Sequence, residues 1–307
     1  MKATRITRKF HRGFTLIELL VAMVLFTIII GLTTWAVGSA TDTTSAAEKH
    51  MDASGQARAF LDRLGADLNT MITEGGVTAL YCGNNSDSSG NSAIGFICRA
   101  RPHANSDTAV NQNLRGAVVG YQVRDTEDLG GTFPLVSRGD GALLYKNSGT
   151  HADYRFGEIM KNTADDLARG SEKMLNWQTL GSGIIRFHLS FLLNDGTIVQ
   201  EPPAYKNFGV KIDSSCKPIP FRAEDSADTK GAYVVGLIAG VAVLDTKTRD
   251  SAFKINSTFP TKFGRPEREG ETALAVWNKK LRTLGATEIS KPVRANIRFY
   301  ERIYTVR

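Results

Sequence analysis

One apolar run near the N-terminus limits the fold of this chain more than any other feature. Residues 14–37 contain a single charged side chain, Glu18, together with one glycine and no proline. At about 1.5 Å of rise per residue, a helix of this length crosses a hydrocarbon layer of roughly 30 Å. The run therefore predicts a transmembrane helix.

The charges around this helix predict its orientation and its need for a partner. A bare carboxylate such as that of Glu18 costs about 2.5–3.5 kcal/mol in the centre of a bilayer on insertion scales, so we expect it to meet an opposite charge. Residues 1–13 contain no acid and five basic side chains: Lys2, Arg5, Arg8, Lys9 and Arg12. Because basic flanks stay in the cytoplasm, the rest of the chain should face outward.

The residues around Gly13 resemble a known family. A basic leader that ends in Gly13, then Phe14-Thr15-Leu16-Ile17-Glu18 and a long apolar helix, resembles the prepilin-type N-terminus of type IV pilins and type II secretion pseudopilins. The resemblance implies that prepilin peptidase cuts after Gly13 and that Phe14, the new first residue, is N-methylated. It also implies that Glu18 pairs with the N-terminal amine of a neighbouring subunit. Electrostatics agree, since both charges are uncompensated alone in a low-dielectric medium.

The family resemblance also implies partners and a location. The partners are prepilin peptidase, other pilin or pseudopilin subunits and the inner membrane, with the head in the periplasm or outside the cell as part of a filament. Many type IV pilins have a proline that kinks this helix, whereas this chain has no proline before Pro102, so a straighter helix is expected.

Two other interpretations of the N-terminus stay open at this point. An ordinary secretory signal peptide could be cut after Gly38-Ser39-Ala40, although the apolar run is longer than the roughly 7–15 residues of such signals. A plain single-span anchor would make Gly13 and Glu18 a coincidence. Either alternative would deliver a secreted or membrane-anchored binding domain instead of a filament subunit.

The apolar periodicity predicts a second helical segment and then a mixed head. From residue 39 onward, polarity rises while apolar residues recur at helical spacing, as in Ala57, Phe60, Leu61, Leu64, Leu68, Met71 and Ile72. Residues 41–45 have weak helix propensity and could break the helix. The predicted divisions are a leader (1–13), a transmembrane helix (14–37), an amphipathic helix (38–75) that Gly75-Gly76 ends, and an α+β head (76–307).

Within the head, the pattern predicts an antiparallel β-sheet on which the amphipathic helix packs. The Asp195-Gly196 pair predicts a tight hairpin turn, because such pairs tolerate the positive backbone angles of these turns. A Gly139-Asp140-Gly141 turn is expected before a strand at 142–146. The remaining predicted elements are strands at 94–98, 117–123, 184–193, 197–199, 231–244 (central) and 293–306 (closing), and a helix at 273–284. The order of these parts resembles the larger minor pseudopilins, and the C-terminal strand resembles Verru_Chthon cassette protein C.

Three cysteines would face an oxidising compartment. A bridge between Cys82 and Cys98 is the natural expectation, because both flank a Ser/Asn/Gly-rich segment that a tether would stabilise. Sequence leaves the pairing open, since Cys216 could take part instead, and all three could be small buried side chains.

No pattern in the head predicts an enzyme. None of the five histidines has another His or a Cys at metal-ligand spacing, and the Ser214–Lys217 and Ser251–Lys254 matches lack the partner motifs of acylating enzymes. Asn and Asp residues at 84–91 could bind calcium but lack EF-hand spacing, so a solvated turn is favoured. We expect no catalytic residue, metal site or cofactor.

The net charge of the chain argues against nucleic acid as a partner. It is +7, but five of these charges lie in the leader, so the cleaved product would carry +2. A nearly neutral product lacks the excess of Lys and Arg on which nucleic-acid binding depends.

The prepilin-type N-terminus and the lack of an enzyme pattern in the head together predict a structural protein, a minor pilin or pseudopilin.

Overall fold

The computed structural model describes residues 15–71, 79–82, 91–99, 117–128, 131–142, 176–200, 210–211, 234–285 and 287–305. They form an α+β fold in which a long N-terminal helix, apolar in its first half, precedes antiparallel β-sheets. The chain divides into two compact units, residues 1–49 and 50–307. This confirms the predicted α+β fold class, and the arrangement is consistent with a pilin-like fold.

Helix α1 runs from Leu16 to Asn69 without a break at residues 41–45. The hydroxyls of Thr41, Thr43 and Thr44 each donate a hydrogen bond of 2.9 Å to the carbonyl oxygen four residues earlier. Threonine hydroxyls that bond back in this way stay inside the helix instead of competing with it. The predicted end of the helix at Gly75-Gly76 lies outside the described residues.

The second unit contains two β-sheets. The first has six strands in the order β5-β4-β3-β2-β1-β8, and all its neighbours are antiparallel except β1 and β8. The second sheet has four antiparallel strands in the order β10-β9-β6-β7. The strands are β1 (Ala79–Cys82), β2 (Ala93–Cys98), β3 (Ala117–Asp128), β4 (Gly131–Ala142), β5 (Asn176–Thr179), β6 (Ile184–Leu193), β7 (Ile198–Val199), β8 (Val210–Lys211), β9 (Val234–Val243) and β10 (Arg298–Thr305).

Most of the predicted strands are present. Strand β9 is central in its sheet, as its apolar sequence predicts, since β10 and β6 pair on either side of it. The β6–β7 hairpin turns at Gly196, whose φ of 86° lies in the left-handed region that glycine tolerates. The predicted hairpin is therefore confirmed.

A first hydrophobic core lies between α1 and the two sheets. The helix contributes one apolar stripe, and the sheets contribute inward-facing residues of β2, β3, β6 and β9. Gly65 allows close packing, because a Cβ there would lie 2.8 Å from Cε1 of Tyr304 on β10. The hydroxyl of the same tyrosine donates a 2.6 Å hydrogen bond to the carbonyl oxygen of Leu61. The buried helix residues include Ala53, Ala57, Phe60, Leu61 and Leu64.

A second core covers the opposite face of the four-stranded sheet. There a helical layer packs on β6, β9 and β10 around Trp277, which is fully buried. The layer comprises α2 (Thr246–Ile255), a 3₁₀ helix (Phe259–Phe263), α3 (Ala273–Thr283) and α4 (Lys291–Asn296). Helix α3 confirms the helix predicted at 273–284. Its N-cap is Thr272, whose hydroxyl accepts a 3.4 Å hydrogen bond from the N–H of Ala275.

Two predictions of local secondary structure are wrong: the turn at 139–141 and the start of the closing strand. Gly139-Asp140-Gly141 is not a turn but part of β4, because β3 pairs with these residues on one side and β5 with Gly139 and Asp140 on the other. The tertiary pairing overrides the turn preference of glycine. The strand predicted after this turn, at 142–146, lies outside the described residues beyond Ala142.

The closing strand also begins later than predicted. Residues 293–296 belong to α4, which has Pro292 in its first turn, and β10 starts at Arg298. Val293 and Ile297, four residues apart, are both buried in the second core. Helical spacing of these two apolar residues therefore prevails over the alternation that the sequence suggests.

The predicted Cys82–Cys98 disulfide is also wrong. The β1–β2 register places Cys82 opposite Ala93, five residues along the strand from Cys98. At roughly 3.4 Å per residue, this is on the order of 17 Å, whereas a disulfide needs Cα atoms about 4.4–6.8 Å apart. Cys98 lies fully buried in the first core.

A buried charged cluster anchors the end of α1 to the first sheet. The Asp67 carboxylate, 4% exposed, accepts hydrogen bonds from the Tyr121 hydroxyl (2.5 Å) and from Nε of Arg138 (2.7 Å). Burial and the adjacent carboxylate raise the pKa of Tyr121, so its hydroxyl stays protonated and can donate. The cluster therefore joins α1 to β3 and β4 through groups that depend on one another.

We expect Asp67→Asn to destabilise the second unit by about 3–5 kcal/mol, because it removes the carboxylate that the buried Arg138 guanidinium contacts. The matched control is Asp62→Asn on the same helix, where an exposed pair with Arg302 predicts a loss below about 1 kcal/mol. Urea unfolding of the full chain in neutral detergent measures both. Equal losses in the two variants would contradict the role given to the cluster.

Candidate assembly site

Thr15 and Glu18 form a reciprocal cap at the start of α1. The backbone N–H and the hydroxyl of Thr15 each donate a 3.0 Å hydrogen bond to Oε2 of Glu18. In return, the N–H of Glu18 donates to the Thr15 hydroxyl oxygen at 3.3 Å. This is a capping box, in which the residue before the helix and the third helical residue satisfy each other's backbone groups.

The cap fixes where the carboxylate of Glu18 lies. A negative charge in the first turn also opposes the partial positive charge of the helix N-terminus. Within a single chain, Glu18 is therefore held at the start of α1 by Thr15. Gly13 and Phe14, the predicted positions of cleavage and methylation, lie outside the described residues.

The first unit exposes the apolar surface of α1. Its large apolar side chains are exposed to solvent in the single chain, with exposed fractions between 47% for Ile30 and 84% for Leu16. Among the described residues, α1 alone is long and apolar enough to cross a membrane. A surface of this size must be covered by lipid or by other helices, because exposed apolar patches of soluble monomers are much smaller.

In the second unit, buried polar groups connect the two sheets. Asn91 and Ser92, just before β2, both contact β6: Oδ1 of Asn91 accepts from the N–H of Phe187 at 3.2 Å, and the Ser92 hydroxyl oxygen accepts from the N–H of Leu189 at 3.0 Å. Asn91 is the last residue of the segment 84–91, for which the sequence favours a solvated turn over calcium binding, and its side chain completes backbone hydrogen bonding. Residues 84–90 lie outside the described residues.

His188 lies at the centre of this buried region. Its Nδ1 is 3.3 Å from the Ser92 hydroxyl, and its Nε2 is 3.1 Å from Oε1 of Gln200. Because the amide oxygen of Gln200 can only accept, the arrangement favours a neutral imidazole with its proton on Nε2. Gln200 in turn donates to the carbonyl oxygen of Glu271 at 2.8 Å, which ties the β6–β7 hairpin to the loop before α3.

A serine beside a histidine suggests a nucleophile and its base, but the geometry excludes that role. Ser92 is fully buried and His188 is 2% exposed, so no substrate can reach either group. Among the described residues, no group of three or more His, Cys, Asp and Glu side chains could hold a metal ion. Sequence patterns had no signal for the Ser92–His188–Gln200 contacts, because these residues meet only through the sheet packing.

Comparison with known protein families identifies the N-terminal segment. A family model for the prokaryotic N-terminal methylation motif matches residues 8–34. The matched segment includes the end of the basic leader, Gly13, Phe14, Glu18 and most of the apolar run. No curated protein matches this chain.

Burial of His188 should make the second unit sensitive to acid. Burial lowers the pKa of His188 from 6.5 to about 4, so the folded state holds the neutral form while the unfolded chain protonates near pH 6.5. Stability from this group is present above pH 6.5 and is lost as the pH falls towards 4, by up to about 3 kcal/mol.

The measurement is urea unfolding of the full chain and of His188→Gln between pH 7.5 and 4. The variant should start less stable at pH 7.5 but lose less on acidification, because it has no imidazole to protonate. Parallel stability curves for the two proteins would contradict this account.

Proposed function

We propose that this chain, whose residues 8–34 match the prokaryotic N-terminal methylation motif, is a minor pilin or pseudopilin. It serves as a structural subunit of a type IV pilus-like or type II secretion-like filament. The observation that carries the proposal is the combination of Glu18 in the first turn of α1 with a long, exposed apolar helix directly behind it. The matched methylation motif includes Glu18 and most of the apolar run.

Assembly through α1 follows from the energetics of these two features. After the leader is removed, the apolar surface passes from lipid to the equivalent helices of neighbouring subunits. Glu18 is already oriented by Thr15, so the carboxylate can exchange this local hydrogen bonding for the N-terminal amine of a neighbour. A pair of full charges is favoured over one isolated charge wherever water is excluded.

The same features support a single-pass location in the inner membrane. The basic leader keeps the N-terminus in the cytoplasm, and prepilin peptidase acts at that side of the membrane. The head then lies in the periplasm or on the outer part of the filament. Its role is structural, as in the pilins that share the motif, and not enzymatic.

The first test of this function is the mass of the mature N-terminus in the native host. We expect a chain that begins at Phe14 with one added methyl group, and Gly13→Asp should leave the leader attached. A mature chain beginning at Thr41 would indicate a signal peptide, and one that keeps Met1 would indicate a plain anchor. Either of these two results would contradict the proposal.

The second test concerns Glu18 itself. Glu18→Ala should insert into the membrane normally but enter sheared filaments at least about tenfold less, since loss of a charged pair of about 1.4 kcal/mol or more changes an equilibrium by that factor. Glu48→Ala is the matched control, because Glu48 is an exposed carboxylate on the same helix beyond the apolar run. Equal amounts of both variants in filaments, measured by immunoblot, would refute the role of Glu18.

A further inference from the structure

The helical layer of the second unit is far more basic than the chain as a whole. Residues 246–296 contain eleven Lys and Arg but five Asp and Glu, which gives a net charge of +6. The chain from Phe14 onward carries +2, so its remaining residues carry −4. The positive charge of the processed chain is therefore concentrated in one layer of the fold.

Helix α4 connects the basic residues of this layer. The guanidinium of Arg294 on α4 donates to the carbonyl oxygen of Leu284, directly after α3. Two residues further, Nδ2 of Asn296 donates to Oγ1 of Thr248 in the first turn of α2 at 3.2 Å. The C-terminal end of α3, α4 and the start of α2 are therefore neighbours, and we call their exposed basic residues the cationic band: Lys247, Lys279, Lys280, Arg282, Lys291 and Arg294.

The cationic band has little negative charge to balance it. In the described part of the chain, no ion pair joins any of its side chains to an acid. Glu288 is the only acid in residues 272–296, and its carboxylate caps the N–H of Gly285 at 2.9 Å. The helix dipole explains the cations in the last turns of α3 and α4, but it does not explain Lys291 at the start of α4 or Lys247 at the start of α2.

The chemistry of the cationic band narrows the class of ligand. Single-stranded nucleic acids bind through exposed aromatic rings, whereas Trp277 and Phe263 in this layer are fully buried. Helices that bind membranes combine basic residues with apolar side chains that enter the lipid. In the layer as described, the exposed large apolar side chain is Ile255, at the opposite end of α2 from Lys247.

The position of the acidic residues in the helical layer favours a narrow, rod-shaped ligand over a flat membrane surface. Glu267 and Glu269 are exposed just before α3, and the cationic band occupies the C-terminal half of this helix, which is about 16 Å long. An anionic membrane plane would approach both ends of α3, but a rod-shaped polyanion can contact the basic end alone. At physiological salt, charges about 8–10 Å beyond the contact are largely screened.

We propose that the cationic band binds the phosphate backbone of double-stranded nucleic acid, independently of base sequence. Lys and Arg side chains of the band replace counterions along the duplex, and the entropy of their release drives binding. With six phosphate contacts, affinity should fall on the order of a thousandfold between 50 and 200 mM salt. The proposal does not depend on filament assembly.

The test compares two neutralised variants of the full chain in neutral detergent. The band variant is Lys279→Gln with Lys291→Gln, and the control is Lys254→Gln with Lys262→Gln, exposed residues of the same layer outside the band. Both lose two charges, and the leader is common to both. Fluorescence anisotropy with a labelled duplex of about 20 base pairs gives affinity and its salt dependence.

Loss of two phosphate contacts should weaken the band variant on the order of 60-fold at 0.1 M salt and reduce the slope of log affinity against log salt by about 1.8. The control should change less than about threefold. Equal weakening of both variants, or no duplex binding by the parent chain, would overturn the proposal. So would a band-dependent binding to vesicles with 30% anionic phospholipid that exceeds binding to the duplex, because the ligand would then be a membrane.

Discussion

The structure depends on one helix, α1. The rest of the chain covers the apolar side chains of this helix in the second unit but leaves those in the first unit exposed. In the second unit, residues such as Phe60 and Leu64 are buried against both sheets. In the first unit, the large apolar side chains from Leu16 to Val37 remain exposed. Because apolar surface of this extent is costly in water, the first half of α1 requires lipid or other helices, and this need underlies the proposed assembly.

Polar groups on α1 and in the sheets then determine how the second unit packs. Asp67 is buried, and it is compensated by Tyr121 and Arg138 from two neighbouring strands. His188 is buried as well, but its contacts are neutral groups, so it is held uncharged. Buried polar groups of this kind are stable only when each partner is present, so they specify one arrangement of helix and sheets.

The distribution of charge over the fold leads to a conclusion that the net charge alone does not show. A net charge of +2 from Phe14 onward argues against nucleic acid as a partner, and we predicted none from the sequence. The fold, however, places α4 against α2 and α3, so the helices that carry Lys247, Lys291 and Arg294 are neighbours. Affinity for a polyanion depends on this local density of positive charge and not on the total, because charges are screened over about 10 Å.

The sequence by itself determined the elements whose signals are local. The apolar run, the Glu18 position, the central strand β9 and the hairpin at Gly196 follow from hydrophobic periodicity and turn chemistry, which need no distant partner. The tertiary structure alone decided that Gly139 lies within a strand, that Val293 is helical, that Cys82 is out of reach of Cys98, and that Ser92 meets His188. Each of these depends on pairing or burial against distant parts of the chain, which outweighs local preferences of less than about 1 kcal/mol per residue.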